Sequence, residues 1–210
     1  MQGSTVTQSQ AELNFSATHS HQIDHHSEHP DHRLFGFVLF LISESMLFVG
    51  LFVAYLTYRA VAPVWPPAGT PEVELLLPSI NTVILLSSSF VIHQADGAIK
   101  KNDVKGMQLW FLATIAMGAT FLAGQVYEYA HLEFGLAEGN LFGSTFYVLT
   151  GFHGLHVFVG LLLMSLVLWR SRRRGHYSDQ KHFGVEATEI YWHFVDVIWI
   201  FLFSMLYLLH

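Results

Sequence analysis

The sequence predicts an all-α fold, a polytopic transmembrane helical bundle of five spans with its N-terminus cytoplasmic and its C-terminus outside. Three observations predict it. Apolar residues make up 52% of the chain and charged residues only 12%, where soluble domains run near about 25% charged. Five stretches each hold the roughly 20 mainly apolar residues needed to cross about 30 Å of hydrocarbon. Lys and Arg gather in alternate connections between those stretches.

Residues 1–33 come first and are polar, without the apolar core of a signal peptide. They hold His19, His21, His25, His26, His29 and His32 among Asp24, Glu28 and Asp31. The composition predicts a disordered, His-rich polar tail, with a weak metal-binding tract as the sharper alternative. The transmembrane domain then covers 34–210. Its spans fall at about 34–58, 75–94, 107–129, 144–169 and 188–209. None shows the alternation of a barrel strand, so helices are the solution that satisfies the backbone in lipid. Pro66, Pro67 and Gly69 punctuate the first connection, and Gly135, Gly139 and Gly143 the third.

Charge sets the orientation. Lys100, Lys101 and Lys105 lie between spans two and three, and Arg170, Arg172, Arg173, Arg174 and Lys181 between spans four and five. Arg33 flanks span one. The other two connections carry Glu72, Glu74, Glu133 and Glu138 and, beyond Arg59 at a helix end, no basic residue. The basic loops and the tail are therefore expected in the cytoplasm. The chain has no Cys, which excludes disulfides, thiolate nucleophiles and Cys-held iron–sulfur or zinc. There is no basic–aromatic patch for nucleic acid and no glycine-rich phosphate loop.

Ionisable side chains inside spans cost about 2.5 kcal/mol or more when charged at mid-membrane, so each needs a reason. Glu44 is the clearest, roughly 15 Å into span one at about 1.5 Å per residue, with no Lys or Arg at that depth of its own span. Hydrocarbon favours the neutral form of a carboxyl. Glu44 reads either as a proton-handling or lipid-facing acid or as a neutral carboxyl bonded to another helix. His153 and His156, three apart, are expected on one face of span four. That spacing is a poor haem clamp and too few ligands for a metal, so interhelical hydrogen bonding is the expectation. His193 and Asp196, after Glu189, are spaced for a direct ion pair or hydrogen bond. Gln125 and Glu128 form a similar pair in span three. Asn81 and His93 lie in span two, with Asp96 near its end. Gly151, Gly154, Gly160 and Ser87, Ser88, Ser89 are small residues suited to close helix contact.

The strings themselves carry a resemblance. Residues 146–156, Phe-Tyr-Val-Leu-Thr-Gly-Phe-His-Gly-Leu-His, and 191–199, Tyr-Trp-His-Phe-Val-Asp-Val-Ile-Trp, resemble two span signatures of subunit III of the haem–copper oxidases. Glu44 within Ser-Glu-Ser-Met-Leu-Phe, Asn81-Thr82, Gln125-x-x-Glu128-Tyr129 and His182-Phe183-Gly184-x-Glu186-Ala187 follow in the family's order. The likeness covers about residues 34–210. It implies a subunit without haem or copper of its own, packed beside subunit I, with subunits I and II carrying those cofactors. It implies oxygen reduction to water and proton pumping by the complex, with this subunit supporting proton uptake, binding phospholipid and protecting the catalytic subunit. Glu44 matches the family's intramembrane glutamate, known for reacting with hydrophobic carbodiimides. Longer members have two further helices ahead of that glutamate, where this sequence has its polar segment. A cytochrome c-type donor fits better than quinol, which is the alternative. A stand-alone proton or ion transporter and a bis-His cytochrome are the readings from other classes. The host is a bacterial plasma membrane or another respiratory membrane, a thylakoid included.

Overall fold

A computed structural model describes residues 32–67, 75–132, 141–173 and 175–209. The His-rich tract other than His32, and Gly69, Gly135, Gly139 and Arg174, lie outside the described residues. Two units divide the chain, 1–35 and 36–210. Of the first, only residues 32–35 are described, and the bundle is built within the second.

Five helices follow one another: α1 His32–Val61, α2 Leu76–Ile99, α3 Val104–His131, α4 Leu141–Ser171 and α5 Phe183–Phe203, which runs into a π-helical turn at Ser204–Leu208. All five are long and apolar enough to cross a membrane. The helices exceed the predicted apolar windows, because polar residues at their ends still continue the backbone ladder. Lys100 donates to the Asp96 carbonyl and Leu132 to the Glu128 carbonyl. A short connection joins α2 to α3. Asn102 turns the chain there at φ 59°, and Asp103 caps α3 by accepting from the Gly106 amide at 2.9 Å.

Hydroxyls inside the spans turn back onto their own helix. Ser45, Thr57, Thr82, Ser87, Thr120 and Ser165 each donate to the carbonyl four residues earlier. A hydroxyl bonded this way can face lipid without a stranded donor.

Helices α2, α3, α4 and α5 pack as a ring, each against the next and α5 back against α2. Trp192 of α5 fills the middle. Its indole N–H donates to Ser88 Oγ of α2 at 2.8 Å. Its ring lies against two helices that glycine lets approach. A Cβ at Gly118 of α3 would stand 2.6 Å from Trp192 Cη2, and one at Gly160 of α4 would stand 2.8 Å from Cε3. The small-residue expectation thus holds at Ser88 and Gly160. Gly118 was not among the expected positions.

Helix α1 stands apart. Its backbone makes few close approaches to the ring, and it buries only Leu41, Phe48 and Tyr55. Those residues recur every seven positions, the repeat of a single narrow seam. Large side chains span the distance. Phe48 meets His156 of α4 with ring centres 4.9 Å apart. Tyr55 donates to the Met205 carbonyl at 3.2 Å, while Trp65, just past α1, donates to the Tyr55 hydroxyl at 3.2 Å.

Trp192→Ala should destabilise the bundle by about 3–5 kcal/mol, the cost of an aromatic-sized cavity. Gly160→Val should destabilise it by wedging α4 from α5. Unfolding in mild detergent against added denaturing detergent, followed by circular dichroism, measures both. Wild-type midpoints would show that the ring does not close on this side chain.

Candidate functional site

Polar side chains that the sequence places inside spans gather in three clusters between helices. The first joins α1 to α4. Glu44 Oε2 lies 3.1 Å from His156 Nε2, so the carboxyl with no Lys or Arg at its depth of α1 finds its partner on another helix. The other ring nitrogen, Nδ1, lies 2.7 Å from the Phe152 carbonyl. A carbonyl only accepts, so Nδ1 carries a proton. The Glu44 contact then holds one further proton, either on Glu44 as a neutral acid donating to Nε2 or on Nε2 as an imidazolium donating to a carboxylate. Both arrangements share that proton across the contact. Tyr191 donates to the His156 carbonyl at 3.2 Å, and Phe48 covers the ring edge.

The second cluster lies between α2, α3, α4 and α5. Gln125 donates to Glu128 Oε2 at 3.0 Å, as its spacing predicts. Tyr207, carried inward by the π-helical turn, donates to Glu128 Oε1 at 2.9 Å. Tyr129 and Thr150 share a hydrogen bond of 2.6 Å. Asn81 packs on Gly124, and a Cβ there would overlap its amide. Trp199 donates to Thr82 at 2.9 Å. His153 lies fully buried between Phe121 and Trp199, with ring centres 5.8 and 4.8 Å away. Among the described residues neither of its ring nitrogens has a hydrogen-bond partner. The expected interhelical bond therefore forms at His156 and not at His153. The two rings do not act together either, for one packs into the ring of helices and the other reaches α1.

The third cluster runs along α2 and α5. His93 Nδ1 lies 2.8 Å from Glu189 Oε1. Glu189 Oε1 lies 3.5 Å from His193 Nε2. His193 Nδ1 lies 3.0 Å from Ser89 Oγ, and Ser89 donates to Asp196 Oδ2. The direct His193–Asp196 contact suggested by their spacing is replaced by a bridge through Ser89. Sequence reasoning treated Ser89 only as a small residue, because nothing in one helix reveals what the neighbouring helix presents. Asp96 pairs with Lys100 at 2.5 Å near the end of α2. Among the described residues no three His, Asp or Glu gather as a metal site. Each cluster brings together side chains that can carry a proton as well as accept a hydrogen bond.

Residues 9–210 match the family model described as cytochrome c oxidase subunit III. A protein from Synechocystis sp. named cytochrome c oxidase subunit 3 is 63% identical over 199 residues, covering 95% of this chain and 84% of its own. One of the same name from Thermostichus vulcanus is 63% identical over 89% of this chain and 92% of its own. The Sus scrofa protein of that name is 41% identical over 82% of this chain and 68% of its own.

Glu44→Gln should leave stability within about 1 kcal/mol of wild type, because the amide can still donate to Nε2. Glu44→Lys should cost about 2–3 kcal/mol or block insertion, since an ammonium faces the imidazole in an apolar setting. Folded yield in detergent reads both, and equal yields for Glu and Lys would show a wet site. Tyr207→Phe should cost about 1–3 kcal/mol by leaving Oε1 of buried Glu128 without its donor. The detergent unfolding midpoint measures it, and an unchanged midpoint would count against the contact.

Proposed function

This chain belongs to the cytochrome c oxidase subunit III family, and we propose that it serves as the cofactor-free subunit of a proton-pumping terminal oxidase that reduces oxygen to water. The observation that carries the reading is 63% identity over 95% of the chain to a cytochrome c oxidase subunit 3. Haem and copper then belong to subunits I and II, with subunit I as the main contact. This agrees with the fate of the two histidines of span four. His156 is committed to Glu44 and to a backbone carbonyl, and His153 is enclosed between aromatic faces. The electron donor to the complex is a cytochrome c-type protein. No nucleic acid takes part.

Support for proton uptake, lipid retention and stability of the catalytic subunit completes the proposal. Glu44 is its proton- or lipid-related residue. Glu128, His153, His156, Glu189, His193, Asp196, Asn81 and His93 form the polar framework around the helices. The standoff of α1, bridged by side chains more than by backbone approach, leaves its flanks to acyl chains. The organisation is a polar tail, 1–33, and a five-helix domain, 34–210, in a bacterial plasma membrane or another respiratory membrane. The two basic connections meet at one end of the bundle, where the Asp179 amide donates to Asn102 Oδ1 at 2.9 Å. The positive-inside rule assigns that end, with the N-terminus, to the cytoplasm.

The full chain, tagged and expressed in its native membrane, should purify with subunits that bring haem and copper absorbance, while the chain alone shows no haem band. A haem band from the isolated chain that disappears in His153→Ala or His156→Ala would overturn the reading. Single cysteines replacing Lys101 and Arg172 should react only with reagent supplied from the cytoplasmic side. Labelling of the two from opposite sides would overturn the topology.

A further inference from the structure

The third cluster is continuous in a way the first two are not. It begins at His93, whose side chain is 69% exposed, and passes Glu189, at 11%, and His193, at 42%. It ends at Asp196, 3% exposed. Ser89 lies about 15 Å inward from the end of α2, and Asp196 about 20 Å from the start of α5. The contacts thus lead from the basic-loop end to the middle of the bundle. Every member can both take up and give away a proton.

His193 presents different nitrogens to its two neighbours, Nε2 to Glu189 and Nδ1 to Ser89. An imidazole held that way can gain a proton on one side and lose one from the other. Ser89 sits between His193 and Asp196, accepting from one while donating to the other. Asp196 Oδ1 is buried and has no hydrogen-bond partner among the described residues. The inner end is therefore a carboxyl with one oxygen on the chain of contacts and one uncommitted. Ser89 hydrogen-bonds this carboxyl, and His193 acts on it through space. The Lys100–Asp96 pair and Glu186 stand near the outer end.

We propose that Asp196 is a proton-loading site, fed from the basic-loop end through His93, Glu189, His193 and Ser89. This deepens the proton-supporting role given above and rests on it. Its test reads this chain's own carboxyl, so it can fail while assembly with haem-bearing subunits stands. In the unloaded state His193 carries its proton on Nδ1 and donates to Ser89, which donates to the Asp196 carboxylate. A protonated His93 gives its Nδ1 proton to Glu189. Glu189 passes a proton to His193 Nε2. The Nδ1 proton moves to Ser89 Oγ as the Ser89 proton moves to Asp196 Oδ2. Each N–H or O–H bond formed matches one broken, so one proton leaves His93 and one arrives at Asp196. The reverse sequence unloads it.

The test uses the full chain in the complex with which it purifies, held in lipid vesicles and transferred to heavy water. The Asp196 acid band is identified in the infrared by its loss in Asp196→Asn, and its deuterium shift is followed in time. Ser89→Ala should slow that exchange about tenfold or more, the scale set by losing one hydrogen-bonded link. Ser89→Thr, which keeps the hydroxyl, should restore the wild-type rate. His193→Gln keeps a hydrogen-bonding side chain but cannot carry a proton through, and should slow exchange with Ser89 intact. If Ser89→Ala does not fold, the exchange rate of His193→Gln decides. Wild-type exchange in a folded Ser89→Ala or His193→Gln protein would overturn the proposal. So would the absence of any acid band lost in Asp196→Asn at every pH tested.

Discussion

Within about 30 Å of hydrocarbon no solvent molecule takes a hydrogen bond, so a polar atom on these helices is costly unless it finds a partner on the protein. The hydroxyls of Ser45, Thr57 and Thr120 meet that demand locally, on their own carbonyls. Carboxyls and imidazoles meet it partly on their own helix, as His156 does at the Phe152 carbonyl, and partly on a neighbouring one, as Glu44 does at His156. Trp192 expresses the same demand in the ring of four. Its indole needs an acceptor, Ser88 supplies one, and glycines at 118 and 160 make room for the ring. Packing and polar satisfaction are achieved there by one side chain.

Much of this was legible in the sequence. The five spans follow from hydropathy alone, since apolar length is what the bilayer demands. Their ends did not, because Lys100 and Leu132 extend the ladder beyond the apolar windows. Glu44 was legible as an intramembrane acid needing a reason. Its partner was not, because His156 lies 112 positions away and only the packing of α1 on α4 brings them together. Spacing within one helix predicted the Gln125–Glu128 bond, which forms. The same logic suggested a direct His193–Asp196 contact, and Ser89 from α2 intervenes. Within-helix periodicity cannot see an insertion from the neighbouring helix. The isolation of His153 was hidden for the same reason, since Phe121 and Trp199 come from α3 and α5.

The polar clusters divide the work of the bundle. Glu44 and His156 join α1, the least embedded helix, to α4. Glu128 gathers α3 and the end of α5, through Gln125 and Tyr207. The chain of groups on α2 and α5 opens toward the basic loops. Membership of the cytochrome c oxidase subunit III family fits five helices long and apolar enough to cross a membrane.

The single proton shared by Glu44 and His156 has an electrical consequence. Whether it sits on oxygen or nitrogen, the two side chains together carry no net charge, so a transmembrane voltage exerts no net pull on them. Only a hop across the 3.1 Å contact could respond. That distance is about a tenth of the hydrocarbon thickness, so 100 mV would bias the hop by at most about 0.2 kcal/mol. The joint between α1 and α4 is therefore nearly blind to the electrical gradient across the membrane.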